Sequence, residues 1–247
     1  MIDTHAHLGA LDDADEAVAR AADAGVTRIL TVGTDVEDCR KALELAERHA
    51  GVYAILGLHP HDAARVEAGA VREVCRMQNH PKAVAVGEIG LDWFRDYAPR
   101  DDQLRLFAAQ LAMAADLGKP VVIHTRDADD DTLAALDDFA GTVVLHCFSS
   151  PRLLPTALDR GWYVSFAGNA TFPKAVDLRL AATEVPSERI LAETDSPYLA
   201  PQPVRGKRNE PANVVHTVAA LARARGQEPA ELEQAIERNA TECFGLP

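Results

Sequence analysis

Two histidines separated by one residue, His5 and His7 in Met1-Ile2-Asp3-Thr4-His5-Ala6-His7, are the first residues of this chain equipped for chemistry. In an extended strand, side chains two residues apart leave the same face about 7 Å apart. From there two imidazoles can converge on one metal ion, with Asp3 a step further back. A lone His-x-His pair is more often two ordinary histidines. Later segments strengthen the pair, because they also finish an apolar run with a metal-capable group. These are Gly57-Leu58-His59-Pro60-His61, Gly87-Glu88-Ile89-Gly90-Leu91-Asp92, Ile123-His124-Thr125-Arg126, Leu145-His146-Cys147-Phe148 and Glu193-Thr194-Asp195-Ser196-Pro197.

The count favours two ions over one. His5, His7, Glu88, His124, His146 and Asp195 make six candidate ligands, more than one tetrahedral ion uses. Shared between two ions about 3.5–4 Å apart, they leave positions for water and substrate. Glu88 has two oxygens and can bridge. The reading gives His5, His7, Asp195 and Glu88 to the first ion, and Glu88, His124 and His146 to the second. Imidazoles suit Zn2+ or Mn2+ better than Mg2+, which prefers oxygen ligands. The expectation is therefore two divalent ions, zinc as a bound form and Mn2+ or Mg2+ for turnover. Cys147 is expected to face away from them by strand alternation and to pack against helices.

Other residues are assigned to the rim, each with a plainer alternative. His59 and His61 flank Pro60 and are either phosphate or leaving-group contacts or a surface loop pair. Arg126 shares the face of His124 and is either a phosphate contact or half of a structural ion pair. Trp93 and Phe94 either stack on a base or cap the barrel edge. Arg205-Gly206-Lys207-Arg208 is the densest basic run; Arg205 and Arg208 either attract a nucleic-acid backbone or belong to a solvated loop.

The elements that must position these groups alternate along the chain. Strand candidates are 2–8, 27–32, 52–58, 83–89, 121–125, 143–148, 163–166 and 190–193. Helical patterns occupy 14–24, 36–49, 70–79, 101–117, 130–139, 152–159, 175–183, 214–225 and 229–243. Leu104, Phe107, Leu111 and Ala114 recur at three and four residues, a helix burying one stripe. Val121-Val122-Ile123 is continuously apolar and β-branched, as expected of a parallel strand covered on both faces. Gly25, Gly118 and Gly161 mark helix ends. Eight strand–helix units with right-handed crossovers predict a TIM-type (β/α)8 barrel, α/β in class, as a single domain over 1–247. An open doubly wound sheet would instead carry a Gly-rich phosphate loop where Thr4-His5-Ala6-His7 stands.

Composition narrows the partners. Hydrophobic residues at 47% and charged residues at 26% are ordinary for a soluble globule. The four cysteines are scattered without CxxC spacing, which reads as reduced thiols of a cytoplasmic protein. No apolar run reaches membrane-span length, and no basic and apolar leader is present, so neither insertion nor secretion is expected. A net charge of −13 argues against broad electrostatic binding of nucleic acid, while leaving open a nucleic-acid substrate held at a metal-loaded pocket.

Taken in this order, the motifs above, together with Pro120-Val121-Val122-Ile123-His124, Asp195-Ser196-Pro197-Tyr198-Leu199 and Arg208-Asn209-Glu210-Pro211, resemble the TatD family of metal-dependent hydrolases over nearly the whole chain. The resemblance implies a TIM-like barrel, two divalent metals and hydrolysis of phosphodiester bonds in DNA as a 3′→5′ exonuclease. A DNA substrate engaged as single strands or at 3′ ends is the corresponding partner expectation, with a monomeric protein and no membrane. Two departures stand out. Ser150 occupies a position that is usually glycine, which bears on substrate fit, and Ala6 stands where relatives often carry cysteine. The expected chemistry is a hydroxide bridging two metals, with Asp195 accepting the water's proton and Glu88 holding the pair together. Ester hydrolysis of D-aminoacyl-tRNA by the same site is the alternative, and a non-catalytic metal-binding scaffold the reading from another class.

Overall fold

The computed structural model describes all 247 residues. Eight strands alternate with helices: β1 (Ile2–Ala6), α1 (Ala14–Asp23), β2 (Arg28–Gly33), α2 (Val36–Arg48), β3 (Val52–Leu56), α3 (Ala70–Met77), β4 (Ala83–Asp92), α4 (Arg100–Leu117) and β5 (Val121–Arg126). Then follow α5 (Asp129–Leu136), β6 (Val143–Leu145), α6 (Leu154–Asp159), β7 (Tyr163–Phe166), α7 (Val176–Glu184), β8 (Ile190–Ala192), α8 (Val214–Arg225) and α9 (Pro229–Phe244). The strands are ordered in one sheet as they are in sequence, β1 to β8. The fold class is the TIM-type (β/α)8 barrel.

Contacts group the chain into two compact units, Met1–Thr31 with His146–Pro247, and Val32–Leu145. In the second unit β3, β4, β5 and β6 pair successively in parallel. In the first, β1 pairs with the start of β2, β7 pairs with β8, and Ala6 bridges Ser196 just beyond β8. β1, β3, β6, β7 and β8 are buried along their whole length, the burial expected where both faces of a parallel sheet are covered.

Most expected elements are present, and the differences collect at strand ends. β1 stops at Ala6, leaving His7 outside it, and β6 stops at Leu145, leaving His146 and Cys147 beyond it. β4 instead runs three residues past Ile89, to Asp92. The reason is pairing: Gly90, Leu91 and Asp92 find partners in His124, Thr125 and Arg126 of β5. Glycine is required at position 90. Its φ is +142°, and a Cβ there would lie 1.9 Å from the His124 carbonyl oxygen. Gly25, Gly118 and Gly161 all adopt positive φ after their helices, the left-handed stop expected of them.

Candidate metal centre

In the first unit, three polypeptide segments bring ligands together. His5 comes from within β1, His7 from the residue after the strand, and His146 from the residue after β6. Asp195 sits three residues beyond β8. The rings of His5 and His146 stack at 3.7 Å, those of His5 and His7 lie 5.1 Å apart, and Asp195 Oδ1 is 3.3 Å from His7 Nε2. His5, His146 and Asp195 each offer a ligand atom, all within 4.8 Å of one another. Burial alone would raise the Asp195 carboxyl, but the hydrogen bond from His7 and the nearby rings of His146 and His5 outweigh it and hold it below the usual range.

The loops that carry these groups are tied down by backbone and buried side chains. Asp195 has φ +54°, a left-handed conformation uncommon for aspartate. It is held there because its N–H donates to the His5 carbonyl, and the Tyr198 N–H donates to the Asp195 carbonyl. Asn209 clamps the same turn from within, donating to the carbonyls of Thr194 and Tyr198. Beneath it, Asp3 accepts from the Thr194 hydroxyl and amide and from the His5 amide; burial nevertheless pushes its carboxyl up to about 8.

Glu193 supplies the support for His146. Its Oε1 accepts from His146 Nδ1 at 2.7 Å and from the Cys147 amide at 2.8 Å, while Oε2 accepts from the Ser165 hydroxyl. A carboxylate on Nδ1 fixes the tautomer and leaves the lone pair on Nε2, the arrangement found behind metal-bound histidines. Strand alternation does not set the direction of Cys147, because β6 has already ended and Cys147 has φ +46°; its thiol lies within 4.8 Å of a His146 ring nitrogen and a Glu193 carboxylate oxygen.

The second unit holds its own cluster. Glu88, buried inside β4, faces His124 of β5, with Oε1 2.7 Å from Nδ1. His124 Nε2 lies 3.1 Å from Asp92 Oδ2, which is also 2.7 Å from His61 Nε2. His59 Nδ1 accepts the His61 amide, so its proton belongs on Nε2, 3.4 Å from Glu88 Oε1. Burial pushes His59 down to about 4, so it is neutral at physiological pH. Burial raises the Asp92 carboxyl, but His124, His61 and the Arg95 amide draw it well below the usual carboxylate range. His59, His61 and His124 also offer ligand atoms within 4.8 Å of one another. Nitrogen and carboxylate donors in these two clusters fit borderline divalent ions.

The remaining sequence candidates occupy more ordinary contacts. Arg126 places its guanidinium 3.8 Å from the Phe94 ring centre, and Arg205 does the same over Phe172 at 3.9 Å. Arg208 pairs with Asp12 and donates to the Ala10 carbonyl. Trp93 is half-buried, donating from Nε1 to Asp131, while Phe94 is exposed. Glu193, Asn209 and the network of Asp92 were not singled out from sequence, although all three stand inside quoted motifs. The signal available was position: Glu193 and Asp92 are carboxylates at or just past a strand end.

Parallel strands delivering clustered imidazoles and carboxylates from within the strands and from the residues just past them define a metal-dependent hydrolase of the (β/α)8 class. A family model described as TatD related DNase matches residues 2–245, and the chain belongs to that family. It is 40% identical to an uncharacterized metal-dependent hydrolase TatD of Mycobacterium tuberculosis, covering all of this chain and 98% of that one. It is 34% identical to the 3′-5′ ssDNA/RNA exonuclease TatD of Escherichia coli, over 95% of this chain and 94% of that protein. The crystal structure of YjjV, a TatD homologue from E. coli, superposes with a TM-score of 0.94 at 30% identity, covering 100% and 98% of the two chains.

Proposed function

We propose that this protein is a metal-dependent deoxyribonuclease that removes nucleotides from the 3′ ends of single-stranded DNA. The observation that carries the reading is the His5, His146 and Asp195 donor set, backed by Glu193, in a chain whose relatives include a named 3′-5′ exonuclease. His5, His7 and Asp195 would hold one divalent ion and His124 and His146 a second, with Glu88 a carboxylate available to either. Bound divalent ions would lower the pKa of water and neutralise phosphate charge.

The chain's own residues do the rest. Asp195 is a carboxylate at neutral pH and accepts the proton of the attacking water on Oδ1, with His7 Nε2 3.3 Å away to stabilise that oxygen. Glu193 and Asp92 hold the rings of His146 and of His124 and His61 in fixed orientations. A protein at −13 offers a phosphate little attraction overall, so the positive field must be local, and divalent ions at this site would supply it.

The test is metal analysis of the purified protein, followed by hydrolysis of 5′-labelled single-stranded DNA with Mg2+, Mn2+ and Zn2+ in parallel. Stepwise shortening from the 3′ end, abolished by chelator, is expected. No shortening with any ion, alongside release of amino acid from D-aminoacyl-tRNA, would replace the nuclease reading with the deacylase.

A further inference from the structure

Between β4 and α4, residues 93–99 carry large apolar rings that the fold leaves in water. Phe94 is 53% exposed and Tyr97 58% exposed; of the other Phe, Tyr and Trp rings only Tyr198 is as open. Free loops often expose aromatics because nothing holds them. This loop is held. Asp92 Oδ1 accepts the amides of Phe94 and Arg95 at 2.9 and 2.8 Å. The Trp93 amide donates to the Arg126 carbonyl, and the buried Gln103 side chain donates to the carbonyls of Asp92 and Ala98.

Arginines flank the rings, with Asp131 on Trp93 Nε1 as an acidic neighbour. Arg126 lies 3.8 Å from the Phe94 ring centre; Arg95 stands 5.4 Å from Phe94 and 5.8 Å from Tyr97; Arg100 covers Trp93 at 4.7 Å. Asp96 is the loop's one acidic residue. In a protein with a net charge of −13, arginines collected around exposed rings mark a place for something both flat and anionic. The Tyr97 ring also meets His61 edge-on at 4.8 Å, which puts this surface beside the His61, Asp92 and His124 cluster.

We infer that Phe94 and Tyr97 form a stacking platform for unpaired bases of single-stranded DNA, with Arg95 and Arg126 meeting the adjoining phosphates. The inference rests on the nuclease reading and adds to it the residues that select the strand state. Bases in a duplex already have both π-faces covered, whereas an unpaired base can lay one on an aromatic ring, worth roughly 1–3 kcal/mol per base. The guanidinium planes add cation–π and phosphate contacts.

The experiment compares wild type with a Phe94→Ala, Tyr97→Ala double variant, whose exposed positions leave the core untouched. Binding of a fluorescein-labelled ten-nucleotide dT strand with phosphorothioate linkages, and of an abasic phosphorothioate strand of equal length, is read by anisotropy with the metal-loaded protein. Hydrolysis of methyl p-nitrophenyl phosphate is read separately, with Mn2+. The platform predicts a Kd for the dT strand raised about tenfold or more in the variant, little change for the abasic strand, and unaltered hydrolysis of the small diester. A dT Kd within about twofold of wild type, equal losses on both strands, or no dT binding by wild type would overturn the platform. Tight, base-dependent binding without hydrolysis of any diester would leave the platform standing and remove the nuclease reading instead.

Discussion

Single carboxylates decide what the histidines of this protein can do. Glu193 is the clearest case, because it fixes the His146 tautomer and holds the Cys147 amide with the same oxygen. Glu193→Gln keeps the shape but offers His146 a neutral acceptor. Affinity for Mn2+ or Zn2+, measured by competition with a chromogenic chelator, should fall about 10–100-fold; unchanged affinity would show that Glu193 only braces the loop. Asp195→Asn should keep the fold while turnover of single-stranded DNA at saturating metal drops about 10²–10⁴-fold. A wild-type rate would remove Asp195 from proton transfer. The two variants separate holding an ion from using it.

At the scale of elements, β4 and β5 form the rigid plank of the second unit. Their register places Gly90 against His124 and Asp92 against Arg126, so one strand pair positions Glu88, Asp92, His124 and the base of the aromatic loop. The closeness depends on the missing side chain at position 90, where a Cβ would collide with the His124 carbonyl at 1.9 Å. Gly90→Ala should therefore destabilise the protein by about 2–4 kcal/mol. A melting temperature lowered by roughly 5–15 °C is the readout, and His124 would move with it, costing activity as well. A melting curve superimposable on wild type would mean that the strands separate more easily than this geometry allows.

For the molecule as a whole, stability should track its metal and its pH. Ions bound only by the folded chain stabilise it by about 2.7 kcal/mol at a hundredfold excess over Kd. Chelation should then lower the melting temperature by about 5–10 °C, reversibly; an unchanged curve would argue that no ion is held. Acid acts elsewhere, at the ring of contacts where α9 meets β1 and β2. Burial would raise the Glu237 carboxyl, but Arg28 and the amino-terminal ammonium outweigh it and hold it below the usual value. A depressed folded-state pKa gives stability that is present above the unfolded pKa and is lost as pH falls through the folded one. Glu237→Gln should thus cost about 0.5–1 kcal/mol in denaturant melts at pH 7, after allowing for partial exposure, and nothing near pH 2. An equal cost at both pH values would assign the effect to packing.

The alternation of buried strands and helices, the glycine stops and the order of the His, Glu and Asp motifs were legible in the sequence, because each is a local property of periodicity and residue type. The histidines and carboxylates that the structure clusters could be named there too, because several apolar runs in one chain finish with such groups. What the sequence left undecided depends on neighbours that are distant along the chain. Only pairing with β5 extends β4 to Asp92, and only the early end of β6 undoes the alternation expected of Cys147. Only three-dimensional proximity shows Glu193 behind His146, Asn209 beneath the Asp195 turn, and Tyr97 beside His61 among arginines. Strand pattern fixes which residues face inward, but tertiary contacts determine where each strand stops, and in this fold His7, His146, Glu193 and Asp195 sit just past those ends.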